Sequence, residues 1–392
     1  MTSTRLDLIN TDTGVHDSSM HRLEGTDGSN PGSVKLTRLV GGLSDGVDVV
    51  RIDNGRMQLD VIPTRGMGIW QAFVDGTRFG WKSPAQRPVH PMFVDAMRRG
   101  GIGWLDGFNE LICRCGLGWH GAPGTDKQVD SDGNVLSEEF LPLHGRIANL
   151  PAHHVQLTQE GQSIALTGIV DEASLFGGRL QMAARIQTEL GSDRFAISDT
   201  ITNTGGAVAE VQMLYHCNIG TPVLGEKSSF HIASRHVAPR DARAAEGLAD
   251  WTNFSGPQAG YAEQVYFVEP IADPSGTVLA VMASPDREKA LGVRFDASTL
   301  PWCVLWKNTQ SIEDGYVAGI EPASSFPNGR QFERSQGRVI RLEPGQSVTF
   351  QMLLDCATTA AACTQLIDEV ETLQMEETST MHDAPHPDWS PA

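Results

Sequence analysis

The chain has 392 residues, with 30 Lys and Arg against 48 Asp and Glu, so its formal net charge is −18. Nucleic-acid phosphates are bound by Lys and Arg, which makes nucleic acid a poor partner for such a chain. An anionic membrane surface is disfavoured for the same reason. Hydrophobic content of 40% and charged content of 20% fit a folded globular core rather than a disordered chain. No apolar run approaches the roughly 18 residues of a membrane span.

Residues Met1 to Asn30 are polar and carry no secretory leader pattern, so a cytoplasmic protein is expected. Residues 1–34 read as a polar, partly ordered segment. Strand patterns then follow one another. Lys35 to Leu43, Val47 to Asp53 and Met57 to Ile62 come first, with Asn54-Gly55 as a hairpin signal between two of them. Phe93 to Arg99 has the spacing of one short helix. A second group runs His154 to Leu157, Ser163 to Val170, Arg179 to Leu190, Phe195 to Asn203 and Val208 to His216, punctuated by glycines. Phe195, Ile197 and Ile201 share one face, with Asp199 as its polar exception. A third group spans Thr277 to Met282, Leu291 to Phe295, Val304 to Lys307, Tyr316 to Ile320, Val339 to Leu342 and Val348 to Leu354. Leu366, Ile367, Val370 and Leu373 have the spacing of a C-terminal helix. Residues 375–392 are polar with three prolines and are expected to be disordered.

Many strands and almost no helices mean an all-β fold. So many strands over one uninterrupted stretch, 35–374, are buried most naturally in one domain, a large antiparallel two-sheet sandwich. The six cysteines, Cys113, Cys115, Cys217, Cys303, Cys356 and Cys363, form no CxxC pair and read as free buried thiols. Cys113, Cys115 and His120 lack the further ligands that zinc requires, so no metal is expected. Gly66-Met67-Gly68 departs from GxGxxG and follows no βαβ pattern, and no cofactor is expected.

Three clusters place ionisable residues beside Gly or Pro. They are Pro142-Leu143-His144-Gly145-Arg146, and, these two at strand ends, Leu214-Tyr215-His216-Cys217-Asn218-Ile219-Gly220 and Gly319-Ile320-Glu321-Pro322-Ala323-Ser324. Each has a structural alternative: a core histidine for His144 or His216, a turn carboxylate for Glu321. Together they fit acid–base chemistry, since His can donate a proton near neutral pH and a partly desolvated carboxylate can accept one. Arg65 beside glycines could reach a ligand or be a surface arginine, and Asn109 could bond a hydroxyl or its own backbone. Trp104, Trp119, Trp302 and Trp306 could stack on a sugar ring or pack in the core. The basic island from His231 to Arg243, with Arg235, His236, Arg240 and Arg243, reads either as a solvated loop or as a contact to an anion or an acidic neighbouring subunit.

These residues, in this order, resemble the galactose mutarotase-like superfamily, and most closely a branch of aldose 1-epimerase-related bacterial proteins. The resemblance runs from about Leu36 to Asp355. It rests on VIPTRGMGIW, ELICRCGL, LPLHGRIANLPA, ITNTGG followed by LYHCNIG, and YVAGIEPAS followed by GRQFER and LEPGQ. It implies a β-supersandwich with a sugar cleft on one sheet and a small-molecule carbohydrate as substrate. By matching position it implies Glu321 as general base and His216 as general acid. His144 would polarise the ring oxygen, and Arg65 would hold sugar hydroxyls. The pattern departs from the family at Arg146, where further glycine is usual. Arg146, Lys307 and Arg65 together would suit an acidic or phosphorylated sugar. The same acid–base pair could instead serve another cofactor-independent isomerase, epimerase or lyase, and a sugar-binding protein without turnover is a further reading. A homodimer is expected.

Overall fold

Strand alternation puts half of each strand's side chains on one face. In Arg194–Asn203 the residues Phe195, Ile197, Asp199 and Ile201 are buried while their neighbours are half-exposed. The same period, repeated strand after strand, builds two large sheets. The structure, a computed structural model, describes residues 3–25, 31–130 and 132–391. Among these, one sheet has ten strands and the other thirteen. Pairing is antiparallel throughout, except where Thr380–Met381 lies parallel to Ser234–Pro239. The inner faces meet in one continuous core. Leu166, Met182, Ile197 and Phe350 come from the ten-stranded sheet, and Val50, Leu59, Cys217 and Leu305 from the other. This is the β-supersandwich that the resemblance implied.

Five adjacent strands of the thirteen-stranded sheet position the site. In chain order they are β1 (Ile112–Cys115), β2 (Leu214–Ile219), β3 (Gln264–Pro270), β4 (Trp302–Asn308) and β5 (Val317–Ala323). In space they run β3, β4, β5, β2, β1. Their inward residues, including Tyr215, Ile320 and Leu305, enter the inter-sheet core. Their outward residues face a second aromatic layer.

Asp199, the polar exception, reaches across the core. Arg114 of β1 donates to it through Nε at 2.6 Å and Nη2 at 3.0 Å, and the Tyr215 hydroxyl donates at 2.7 Å. The carboxylate thus ties the two sheets together.

Three expectations are corrected. Residues 93–99 form no continuous helix. One-turn pieces at Pro91–Phe93 and Arg98–Gly101 flank an irregular stretch, and Arg99 and Gly100 adopt left-handed angles that a helix interior excludes. The basic island is not one solvated loop, because His231 lies in the strand Ser229–Ile232 and Arg235 and His236 in Ser234–Pro239. The C-terminal segment is docked rather than disordered. Trp389 is buried there, and its aromatic contacts outweigh the polar composition of its neighbours. Near the N-terminus, Ser3–Asn10 pairs with His154–Glu160 inside the ten-stranded sheet. Residues 1–2 and 26–30 of the expected polar segment lie outside the described residues, as does Ala392. The C-terminal helix runs Ala360–Gln374, with the Thr359 hydroxyl accepting from the Ala362 amide as its N-cap. All six cysteines are free and buried.

Candidate active site

On β2, Tyr215, Cys217 and Ile219 point into the inter-sheet core, so His216 points the other way with Leu214 and Asn218. On β5 the same alternation turns Gly319 and Glu321 outward, between Ile320 inward and Ala323 outward. Because β2 and β5 are neighbours, the two chemical side chains meet. His216 Nε2 lies 3.1 Å from Glu321 Oε1, with 4% and 3% of each residue exposed. The contact is close but not aligned as a hydrogen bond. Glu321 Oε1 and His216 Nδ1 both lack a hydrogen-bond partner. Buried polar atoms are normally satisfied, so an orphan on each of two touching side chains sets this place apart from the packed core.

Gly319 makes this contact possible. A Cβ there would lie 2.6 Å from Glu321 Oε1 and 3.0 Å from His216 Cε1. Any side chain would fill the space shared by the acid and the base.

Burial sets the protonation of the pair. It pushes the Glu321 carboxyl well above its ordinary value, and the exposed Glu263 adds to the rise while Arg240 opposes it. Burial also pushes the His216 imidazole well below its ordinary value, assisted by His144. The 3.1 Å separation alone favours an ion pair, whereas desolvation acts against both charges and pulls toward a neutral acid beside a neutral imidazole. Either charge distribution holds one proton.

His144 lies beside them, its ring centroid 5.6 Å from that of His216. Its backbone is left-handed (φ 60°), followed by Gly145 at φ 74°. A Cβ on Gly145 would sit 2.2 Å from the Trp119 carbonyl oxygen, so His-Gly is the pair this turn requires. His144 Nδ1 donates to the His120 carbonyl at 2.8 Å, which leaves Nε2 as an acceptor in the neutral ring. Burial lowers the His144 pKa to about 4. The neutral ring offers an acceptor at Nε2 rather than a proton. His120 is held in turn by Ser325 at 2.9 Å, and burial lowers its pKa to about 3.

Aromatic rings wall the pair. Phe108 and Trp306 lie 4.9 and 5.2 Å from the His216 ring, and Trp104 lies 4.7 Å from His144. The Trp306 indole donates to Glu263 at 2.7 Å, and Arg240 donates to the other Glu263 oxygen at 3.0 Å. Glu263 and Arg240 are the functional candidates that sequence reasoning missed or left in a surface island. Strand pairing between Ser234–Pro239 and β3 brings them together.

The other expected binding residues divide. Trp306 is at the site. Lys307, its neighbour in sequence, points to the opposite face of β4, as alternation demands. Its ammonium donates to the carbonyls of Asp250 at 2.9 Å and Asn253 at 2.6 Å, lies over the Phe254 ring, and is lowered by burial to about 8. Arg65 is fully enclosed. It donates to Glu110 at 2.6 Å, to Asn149 Oδ1 at 2.9 Å and to the Val89 carbonyl at 3.2 Å, and only Nη2 lacks a partner. Asn109 is buried, with its amide nitrogen on the carbonyls of Ala85 and Arg87 and its Oδ1 unpartnered. Arg146 is exposed, and its charge is felt at Glu172. Trp119 is a packing residue whose indole donates to the Pro142 carbonyl. Two of the three cations expected to suit an acidic sugar are therefore engaged elsewhere. Among the described residues, no group of three or more His, Cys, Asp or Glu is placed to hold a metal ion, and no helix is long and apolar enough to cross a membrane.

The model of a domain of unknown function, DUF4432, matches residues 44–356. The chain belongs to the DUF4432 family. A crystal structure of a candidate aldose 1-epimerase from Klebsiella pneumoniae is 30% identical to this DUF4432 protein. It covers 98% of this chain and 99% of that one, with a TM-score of 0.90. Two more distant structures share the fold. A galactose mutarotase-like protein from Clostridium acetobutylicum is 14% identical (83% and 98% covered, TM-score 0.58). A galactose 1-epimerase from Lactobacillus acidophilus is 12% identical (83% and 99% covered, TM-score 0.53). No curated protein matches the chain at a significant level.

Proposed function

We propose that this protein interconverts the anomers of a sugar by acid–base catalysis at His216 and Glu321, without cofactor or metal. The observation that carries the reading is the 3.1 Å contact between the two groups, each with an unsatisfied atom. Anomer exchange needs a proton removed from O1 and one delivered to O5. Both oxygens are bonded to C1, so an acid and a base in contact can serve them at once. Glu321 as carboxylate takes the O1 proton while His216 as imidazolium protonates O5. The ring opens, the C1–C2 bond turns, and the reverse transfers close the other anomer. The single proton of the pair is conserved throughout.

The surrounding residues orient the sugar. His144 Nε2 accepts from a hydroxyl, Trp306 offers a ring face, and Glu263 and Arg240 stand at the open edge. With Lys307 and Arg65 turned elsewhere, a neutral aldose suits the site better than a phosphorylated one. The candidate aldose 1-epimerase from Klebsiella pneumoniae, 30% identical over nearly the whole chain, supports the same reading.

Polarimetry on freshly dissolved aldoses tests it. Wild type is expected to accelerate the approach to anomeric equilibrium, and Glu321→Gln and His216→Asn, while folded, are expected to lose that acceleration. New non-anomeric signals by NMR would move the protein to another isomerase or a lyase. Saturable binding without turnover would make it a sugar-binding protein.

A further inference from the structure

We infer that the C-terminal segment 380–391 is part of the site, bracing the wall that limits the pocket to a single sugar ring; this rests on the anomer-exchange reading above. Three observations place the segment there. Thr380 and Met381 pair with His236 and Val237, and the His382 amide donates to the Val237 carbonyl at 2.8 Å. Further on, Asn328 donates to the Trp389 carbonyl and Arg338 to the Asp388 carbonyl, each at 2.8 Å. At this second anchor the Trp389 ring enters an aromatic block, 5.4 Å from Trp302 and 5.2 Å from Phe326.

That block borders the catalytic pair. On β4, Trp302 lies opposite Ala323, Val304 opposite Glu321 and Trp306 opposite Gly319. All three β4 residues share the outward face. Trp302 is two residues past the level of Glu321, about 7 Å along the strand. Phe326 closes over this end, 4.6 Å from Trp302 and stacked 4.4 Å from Phe267. A sugar seated over Gly319 therefore has Trp306, Glu263 and Arg240 on one edge and this aromatic block on the other. A second ring linked on the blocked side would have to displace Phe326 or Trp302. Trp389 packs against both and holds them in place. It acts on specificity by positioning these two rings, not by touching the reacting atoms.

The test compares anomer exchange of monosaccharides with that of reducing disaccharides of 1,4 and 1,6 linkage, in wild type, Trp389→Phe and Trp389→Ala. Wild type is expected to favour the monosaccharide strongly. Trp389→Ala is expected to lower that preference by roughly tenfold or more, the scale of one lost pocket contact, with Trp389→Phe between. A merely structural role would lower both rates together and leave the ratio unmoved. An unchanged ratio in a folded Trp389→Ala, or a wild type that handles disaccharides as fast as monosaccharides, overturns the inference. If wild type exchanges no sugar, the activity reading falls alone. The wall is then judged by saturation-transfer NMR of the same sugar pairs, where equal binding of both would overturn it.

Discussion

Strands Ile112–Cys115 and Leu214–Ile219 carry the basic partners of two buried base–carboxyl pairs on opposite faces. On the core side, Arg114 meets Asp199 in a two-point contact at 2.6 and 3.0 Å, and the Tyr215 hydroxyl completes the carboxylate. On the outer side, His216 meets Glu321 at 3.1 Å, with one atom of each left unsatisfied. Both pairs are buried, and each joins a nitrogen base on these strands to a carboxyl group from another strand. The difference is saturation. In the core pair every side-chain nitrogen and oxygen has a partner, so it holds structure. The outer pair keeps its electrostatic potential unspent, which is what a reaction needs and what stability would not select.

Breaking the core pair is expected to have the largest effect. Asp199→Ala strands a buried guanidinium and is expected to cost about 3–5 kcal/mol in urea unfolding. Replacing both partners by apolar residues (Arg114→Met with Asp199→Leu) is expected to recover most of that loss. A single-variant loss too small to resolve would dissolve the contrast.

Glu321→Gln is expected to reduce anomer exchange by about 10²–10⁴-fold, the usual share of one acid–base group. Its stability should move the other way. The folded Glu321 pKa lies above its ordinary 4.5, so this group's stabilising contribution is full below that value. The contribution is lost as pH rises toward the folded pKa. Gln does not titrate, so the variant is expected to gain on wild type as pH climbs from 4.5 in thermal unfolding. A variant that loses ground to wild type as pH rises would sink the claim that burial strains this carboxyl.

Gly319→Ala tests the geometry without touching either charge. The added Cβ pushes the carboxylate and imidazole apart, and a misplacement of about 1 Å is expected to cost up to about 10²-fold in kcat. Wild-type kcat in this variant would mean that the contact does not matter. Lys307→Met is expected to have the smallest effect. The sugar KM should stay as it is, while hydrogen exchange quickens over Asp250–Phe254, whose carbonyls the ammonium holds. A raised KM alone would return Lys307 to the cleft.

The fold was legible, and so were the residues that meet at the candidate site, because both rest on local signals. Period-two alternation and glycine punctuation gave the strands, and His216 and Glu321 lie within strands and His144 in a turn, in a motif order that resembles a known superfamily. Sidedness was legible too, but not read. Trp306 and Lys307 are adjacent in one strand and cannot share a face, so only one of them could line the cleft. Arg65 could not be settled locally, because its partner Glu110 is 45 residues away. Glu263 and Arg240 meet only through strand pairing, and no spacing in the chain announces them. Residues 375–392 misled by composition, since a single buried Trp389 docks a segment whose average is polar.

The most direct measurement is a double-mutant cycle on anomer exchange, with Glu321→Gln, His216→Asn and the two combined, followed by exchange NMR. If the pair works as one proton-sharing unit, each single variant should fall nearly as low as the double. Losses that add independently, or a wild type no faster than buffer, would contradict it.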